Sequence, residues 1–167
     1  MKQRITSLFA LLMLIFSGCS QPLPEQVPRV MPEFTFYTLE GNQAFTRMSL
    51  APQGNAVLIF FDPGCSHCQQ EAQAMGANAE AFKDVNLYFI SQQEPALIRE
   101  FMGTYAKDLV EQLNPQVLVD ADYTFLPLFK PSQYPAMYVY SQKRALLAYL
   151  EGENSIESII EAVHTQP

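Results

Sequence analysis

The sequence predicts an α/β fold, a three-layer α/β/α sandwich whose mixed sheet ends in an antiparallel hairpin and a helix. Three observations carry this. Apolar, β-rich runs at 56–61, 85–91 and 117–120 alternate with stretches of helical periodicity, the order that gives parallel strands joined by crossover helices. A later run at 135–140 is followed by a turn at 141–144 and a return run at 145–150, which read as a hairpin. Ile156, Ile159, Ile160 and Val163 then form the stripe of an amphipathic helix.

Lys2 and Arg4 precede a mostly apolar run from Ile5 to Phe16, and Phe16-Ser17-Gly18-Cys19 supplies small residues at a cleavage point. This pattern predicts an export signal over 1–18, with an apolar core too short to count as a spanning helix. Pro22, Pro24, Pro28 and Pro32 follow among polar residues, so 19–32 is expected to be an extended tether and the folded domain to occupy 33–167. Phe34-Thr35-Phe36-Tyr37 and the turn Glu40-Gly41-Asn42 suggest an opening hairpin. Ala56 to Phe61 reads as a strand buried on both faces. Ala72, Met75, Ala79 and Phe82 predict a helix over 66–83, and Val85 to Ser91 is the next strand. Leu97, Phe101, Tyr105, Leu109 and Leu113 share one face of a helix expected to run from Pro95 to Leu113. Val117 to Asp120 is a strand, and a helical turn is expected around 123–129. The chain shows no internal repeat and no low-complexity tract.

Cleavage before Cys19 would leave about 149 residues, enough for one compact domain. A hydrophobic content of 49% with 16% charged residues describes a globular core rather than a disordered chain. Losing Lys2 and Arg4 takes the formal charge from −7 to −9, which argues against nucleic acid as a partner and against an electrostatic membrane patch.

The chain has three cysteines, Cys19, Cys65 and Cys68. The last two sit where the apolar run 56–61 gives way to a helical stretch, so the sulfur of Cys65 falls at a helix N-terminus. Unpaired N–H groups and the helix dipole there favour thiolate over thiol. A thiolate is the attacking species in disulfide exchange, and a thiol three residues on can resolve the mixed disulfide. A Cys65–Cys68 disulfide would close so small a loop that it adds little stability, which argues for a chemical role.

Two resemblances follow from these residues. The small-small-Cys ending resembles a bacterial lipobox, with Phe16 where Leu is usual, and implies a diacylglycerol on Cys19. From about 33 to 164 the chain resembles the thioredoxin superfamily, more narrowly the TlpA/ResA-like thiol–disulfide oxidoreductases of bacterial envelopes. That likeness rests on Cys65-Ser66-His67-Cys68 and the strand before it, the strand–helix unit near 85–113, Asp120-Ala121-Asp122, and Tyr134-Pro135. It implies a redox disulfide between Cys65 and Cys68. It also implies a cis Pro135 facing that pair and a Tyr134 backbone that pairs with an extended substrate segment.

Glu71, one helical turn beyond Cys68, matches an acidic position of the family and is expected to exchange a proton with Cys68; a solvated helix residue is the plainer reading. His67 is expected to stabilise the Cys65 thiolate, as in oxidase-type motifs, unless it simply faces solvent. Asp62, three residues before Cys65, opposes that thiolate, so the direction of electron flow does not follow from the motif. The chain departs from the family in having Gly64 where an aromatic is common, no Trp, and Ile59 where cytosolic thioredoxins carry a buried carboxylate. Leu126 to Pro131 is expected either to rim the substrate site or to be a packing loop.

The expected activity is reduction or exchange of disulfides in exported proteins, with Cys65, Cys68 and Glu71 as the catalytic groups and no cofactor. Its partners would be those proteins and a membrane-embedded or periplasmic electron donor, with the lipid holding the domain in the cell envelope. Two alternatives share the fold. A peroxiredoxin-type peroxidase needs Thr or Ser three residues before its reactive cysteine, where this chain has Asp62. A copper-binding or delivery module would use the dithiol with His67 or His164; a closed zinc site lacks ligands, and no resident metal is expected.

Overall fold

The computed structural model describes residues 24–167. The expected export signal, Cys19 and the start of the proline-rich segment lie outside the described residues. Seven strands, β1 (Thr35–Thr38), β2 (Ala44–Thr46), β3 (Asn55–Phe60), β4 (Val85–Ser91), β5 (Gln116–Val119), β6 (Ala136–Tyr140) and β7 (Leu146–Glu151), form one sheet. Its order is β2-β1-β5-β4-β3-β6-β7. The helices are α1 (Ser66–Ala77), α2 (Pro95–Thr104), α3 (Lys107–Leu113), α4 (Phe125–Phe129) and α5 (Ile156–Val163). β3, β4 and β5 pair in parallel across the α1 and α2–α3 crossovers, and every other pairing is antiparallel. The mixed α/β architecture with its C-terminal hairpin and helix is the predicted one.

β3 lies at the centre and is buried on both faces. Val57, Ile59 and the following Phe61 point into one core with residues of α1, α2, α3 and α5. Ala56, Leu58 and Phe60 point into the other, which is closed by Phe125 and Phe129 of α4 and by Val27, Met31 and Phe34. The helical layers are therefore unequal: one face carries α1, α2, α3 and α5, and the opposite face carries the short α4 and the N-terminal segment.

Three expectations are corrected. The end of the proline-rich segment does not hang free. Val27 and Met31 are each 1% exposed, the Met31 N–H donates to Arg144 O at 2.9 Å, and Leu146 N–H donates to Arg29 O at 2.8 Å. Two apolar side chains spaced among prolines supply the burial, so the packed domain starts near residue 27 rather than 33. The helix expected over 66–83 stops at Ala77, because Asn78 leaves helical geometry and its side-chain amide donates back to Ala74 O at 2.8 Å; a 3₁₀ turn, Ala79–Phe82, follows. The helix expected over 95–113 breaks after Thr104, where Tyr105 and Ala106 N–H both turn back to Phe101 O. Phe101 and Leu109 stay buried on either side of the break, whereas Leu97, in the first turn of α2, is 46% exposed. α3 ends on Asn114 in the left-handed region (φ 47°), with Pro115 next, a strong helix stop.

Candidate active site

The sheet register brings the site residues together. Phe60 pairs with Ala136, so the loop leaving β3 and the residues entering β6 meet at one end of the sheet. The first holds Asp62 to Cys65 and the second holds Tyr134-Pro135. The loops after β4 and β5 leave at the same end, the usual location of sites in parallel sheets. The Tyr134–Pro135 bond is cis, as the family resemblance implies.

Cys65 is the N-cap of α1, and its Sγ accepts the Cys68 N–H at 3.4 Å. The positive end of the helix therefore points at the Cys65 sulfur. The two thiols are free and unlike in setting: Cys65 is partly exposed, whereas Cys68 is buried in the core against α1 and β3. Burial pushes the Cys68 thiol well above its ordinary value. The hydrogen bond with Cys65 and the negative charges of Cys65 and Glu71 add to the rise, and a backbone hydrogen bond from Asp62 opposes it. Glu71 is itself buried, at 8% exposure. Loss of solvent raises its carboxyl from 4.5 to about 7, so it changes charge near neutral pH within electrostatic reach of Cys68. That burial removes the reading of Glu71 as a solvated helix residue. Ile59, in the same core as Cys68, leaves Glu71 as the buried carboxylate on this side of the sheet.

Asp62 shapes the loop. One oxygen accepts the Gly64 N–H and the other the Gln93 side-chain amide, both at 2.7 Å. Gln69 donates to Pro63 O at 2.8 Å and ties α1 to the same loop. His67 turns away toward Glu153, with Nδ1 3.7 Å from Oε2, and its side chain is 47% exposed. Tyr134 packs against both cores, its ring centroid 5.0 Å from that of Phe60. Partial burial raises its phenol from the ordinary value, helped by the charges of Asp62, Cys68 and Cys65, which marks its closeness to all three.

Behind the loops, buried Asp120 accepts Thr124 N–H and Oγ1–H on one oxygen, and Phe125 N–H and the Gln92 amide on the other. This carboxylate caps α4 and joins the β4 and β5 loops. In Leu126 to Pro131 only Phe129 is fully buried; Leu126, 44% exposed, Pro127 and Lys130 face outward.

Sequence reasoning missed Gln93 as the partner of Asp62, since the two are 31 residues apart and nothing local links them. It also missed Asp120 as the acceptor for the first N–H groups of α4, because a capping side chain accepts from two or three residues on and Asp120 stands four and five residues before them. Among the described residues, no group of three or more His, Cys, Asp or Glu is placed to hold a metal ion. His164 is engaged elsewhere, its Nε2 2.7 Å from Ala81 O. A cavity of about 760 Å³ lies away from the dithiol, between β1, α2 and α3.

Comparison with known proteins fits this geometry. A model of the AhpC/TSA family matches residues 27–148, and the chain belongs to that family. No curated protein matches it. Among solved structures, Mycobacterium tuberculosis DsbF in mixed oxidised and reduced forms is 25% identical with a TM-score of 0.66, covering 82% of this chain and 96% of that one. A secreted M. tuberculosis disulfide oxidoreductase homologous to E. coli DsbE is also 25% identical, with a TM-score of 0.64 and coverage of 78% and 93%. A Thermus thermophilus thio-disulfide isomerase, 19% identical with a TM-score of 0.63 over 85% and 99% of the two chains, shares the fold. The thioredoxin-like, TlpA/ResA-type assignment holds, and the chain stands among the thioredoxin-like thiol–disulfide oxidoreductases as a family.

Proposed function

We propose that the protein is a cell-envelope thiol–disulfide oxidoreductase, lipid-anchored through Cys19, that reduces or exchanges disulfides in exported proteins. The observation that carries this reading is the asymmetry of the dithiol: a partly exposed Cys65 at the start of α1 with buried Cys68 one turn behind it. In the reducing direction, the Cys65 thiolate attacks a substrate disulfide, forms a mixed disulfide and expels one substrate thiolate. Cys68 then gives up its proton and displaces the second substrate thiol, leaving a Cys65–Cys68 disulfide. Two electrons pass to the substrate and must be restored by an envelope donor. The raised Cys68 thiol needs a proton acceptor, and Glu71 is the titratable neighbour suited to the task. Tyr134 and Pro135 would present their backbone to the substrate chain beside Cys65. Asp62 acts by holding the loop, and His67 acts on the sulfur only from a distance.

The envelope location draws on the signal-like pattern over 1–18 and on the secreted M. tuberculosis relative. The anchoring draws on the small-small-Cys ending at Cys19 in the sequence; among the described residues no helix is long and apolar enough to cross a membrane. Reduction of insulin disulfides by the wild-type protein, and its loss in Cys65→Ser, tests the reading. Full activity in Cys65→Ser would contradict it.

A second reading, peroxide reduction at Cys65, draws on the AhpC/TSA match. The group three residues before Cys65 is the Asp62 carboxylate, whose negative charge suits peroxide poorly. Rapid peroxide consumption dependent on Cys65 would favour this reading over the first. Copper delivery has only the two thiols to build on, since His67 faces Glu153.

A further inference from the structure

Beside the Cys65 loop, on the α2 side, lies a pocket of about 280 Å³ that the chemistry above does not use. Leu97, Phe101 and Tyr105 line it with apolar and aromatic surface, and Asp62 and Glu100 supply carboxylates with no Lys or Arg in the lining. We propose that this pocket is a subsite for a cationic side chain, Lys or Arg, of the oxidised partner protein. The inference rests on the oxidoreductase reading and specifies which polypeptides it acts on.

Four features support a side chain of that kind. The volume falls just below the usual range for small-molecule pockets and suits one long side chain. The half-buried Tyr105 ring, packed on the buried Phe101 ring with centroids 5.6 Å apart at 47°, offers aromatic surface to a cation. Both oxygens of Asp62 are taken by Gly64 and Gln93. Among the described residues Glu100, by contrast, has no hydrogen-bond or ion-pair partner. The formal charge of −7 also draws basic segments toward the surface.

A substrate chain lying along Tyr134 would then set a basic residue near its disulfide into this pocket while Cys65 attacks. The chemistry is the exchange already described: Cys65–S⁻ forms a bond to one substrate sulfur and the other leaves as thiolate; Cys68, its proton taken up by Glu71, then attacks the Cys65 sulfur and expels the second substrate sulfur as thiolate.

The test uses single-turnover oxidation of the reduced protein by synthetic peptides closed by one disulfide. Each carries Arg, its neutral isostere citrulline, or Glu immediately before or after one cysteine, and uncharged hydroxyethyl disulfide serves as reference. The expected result is a second-order rate about five- to tenfold higher for Arg than for citrulline in one placement, with Glu slowest. That ratio should shrink in high salt and fall to about twofold or less in Glu100→Gln. Equal rates for Arg and citrulline while hydroxyethyl disulfide still oxidises the dithiol would overturn the subsite and leave the oxidoreductase reading standing. An undiminished preference in Glu100→Gln would overturn it too. Failure of every disulfide to oxidise the dithiol would remove the oxidoreductase reading and the subsite with it.

Discussion

The two faces of the central strand do different work. Val57, Ile59 and Phe61 look toward a core of mixed aliphatic, Met and Phe side chains under α1, α2, α3 and α5, and this core contains Cys68. Ala56, Leu58 and Phe60 look toward a core dominated by rings. There Phe60 stacks on Phe125 at 4.1 Å, Phe125 on Phe129 at 4.4 Å, and Phe34 on Phe36 at 4.5 Å. The first face holds the buried titrating groups, Cys68 and Glu71; the second holds Asp120, whose carboxylate is saturated with hydrogen bonds. Reactivity sits where polar groups are left under-solvated, and rigidity comes from the face where they are satisfied. Tyr134 touches both cores, which is how the aromatic face helps to fix the platform beside the dithiol.

Substitutions on the two faces should separate these roles. The largest effect is on activity: Cys65→Ser should lower disulfide reduction by more than about a thousandfold, since the nucleophile itself is gone. Its thermal midpoint should stay near wild type, because the side chain is partly exposed. On the aromatic face, Phe125→Ala removes a fully buried ring and should cost about 4 kcal/mol in denaturant unfolding. The folded fraction should still reduce disulfides. Asp120→Ala leaves the buried N–H groups of Thr124 and Phe125 and the Gln92 amide without an acceptor, and should cost about 3 kcal/mol by the same measurement.

Glu71→Gln is the subtlest and the most informative about pH. Burial raises this carboxyl from 4.5 to about 7, so between those values the folded protein binds more proton than the unfolded chain. Stability from this group is full below pH 4.5 and is lost as pH rises through about 7. The loss amounts to roughly 3 kcal/mol on the linkage relation. The Gln variant should flatten that decline and be the more stable protein at pH 8. It should also lose an inflection near pH 7 in the rate of Cys68-dependent resolution. A wild-type pH–rate profile in the variant would take Glu71 out of the reaction.

Much of this could be read from the chain because burial on both faces leaves a plain signature. The runs 56–61 and 85–91 became β3 and β4, and the Ile156–Val163 stripe became α5 with Ser155 as its cap. The motif Cys65-Ser66-His67-Cys68 located the dithiol, and Tyr134-Pro135 located the facing cis bond. What escaped was decided by tertiary contact. The apolar stripes run through the breaks at Asn78 and after Thr104, so periodicity alone joins α2 to α3. Val27 and Met31 are two apolar residues in a proline-rich stretch, and only the surface near Arg144 and Leu146 tells them to dock. The Asp62–Gln93 bond and the pocket beside Gly64 likewise need the β3 and β4 loops placed side by side.

The division of labour between the two sulfurs is tested most directly by trapping. Cys68→Ser, reduced and mixed with an oxidised disulfide peptide, should accumulate a stable mixed disulfide that peptide mapping places on Cys65, whereas Cys65→Ser should capture almost none. An adduct mapped to Cys68 in Cys65→Ser, or turnover at wild-type rate in Cys68→Ser, would contradict the proposed order of attack and resolution.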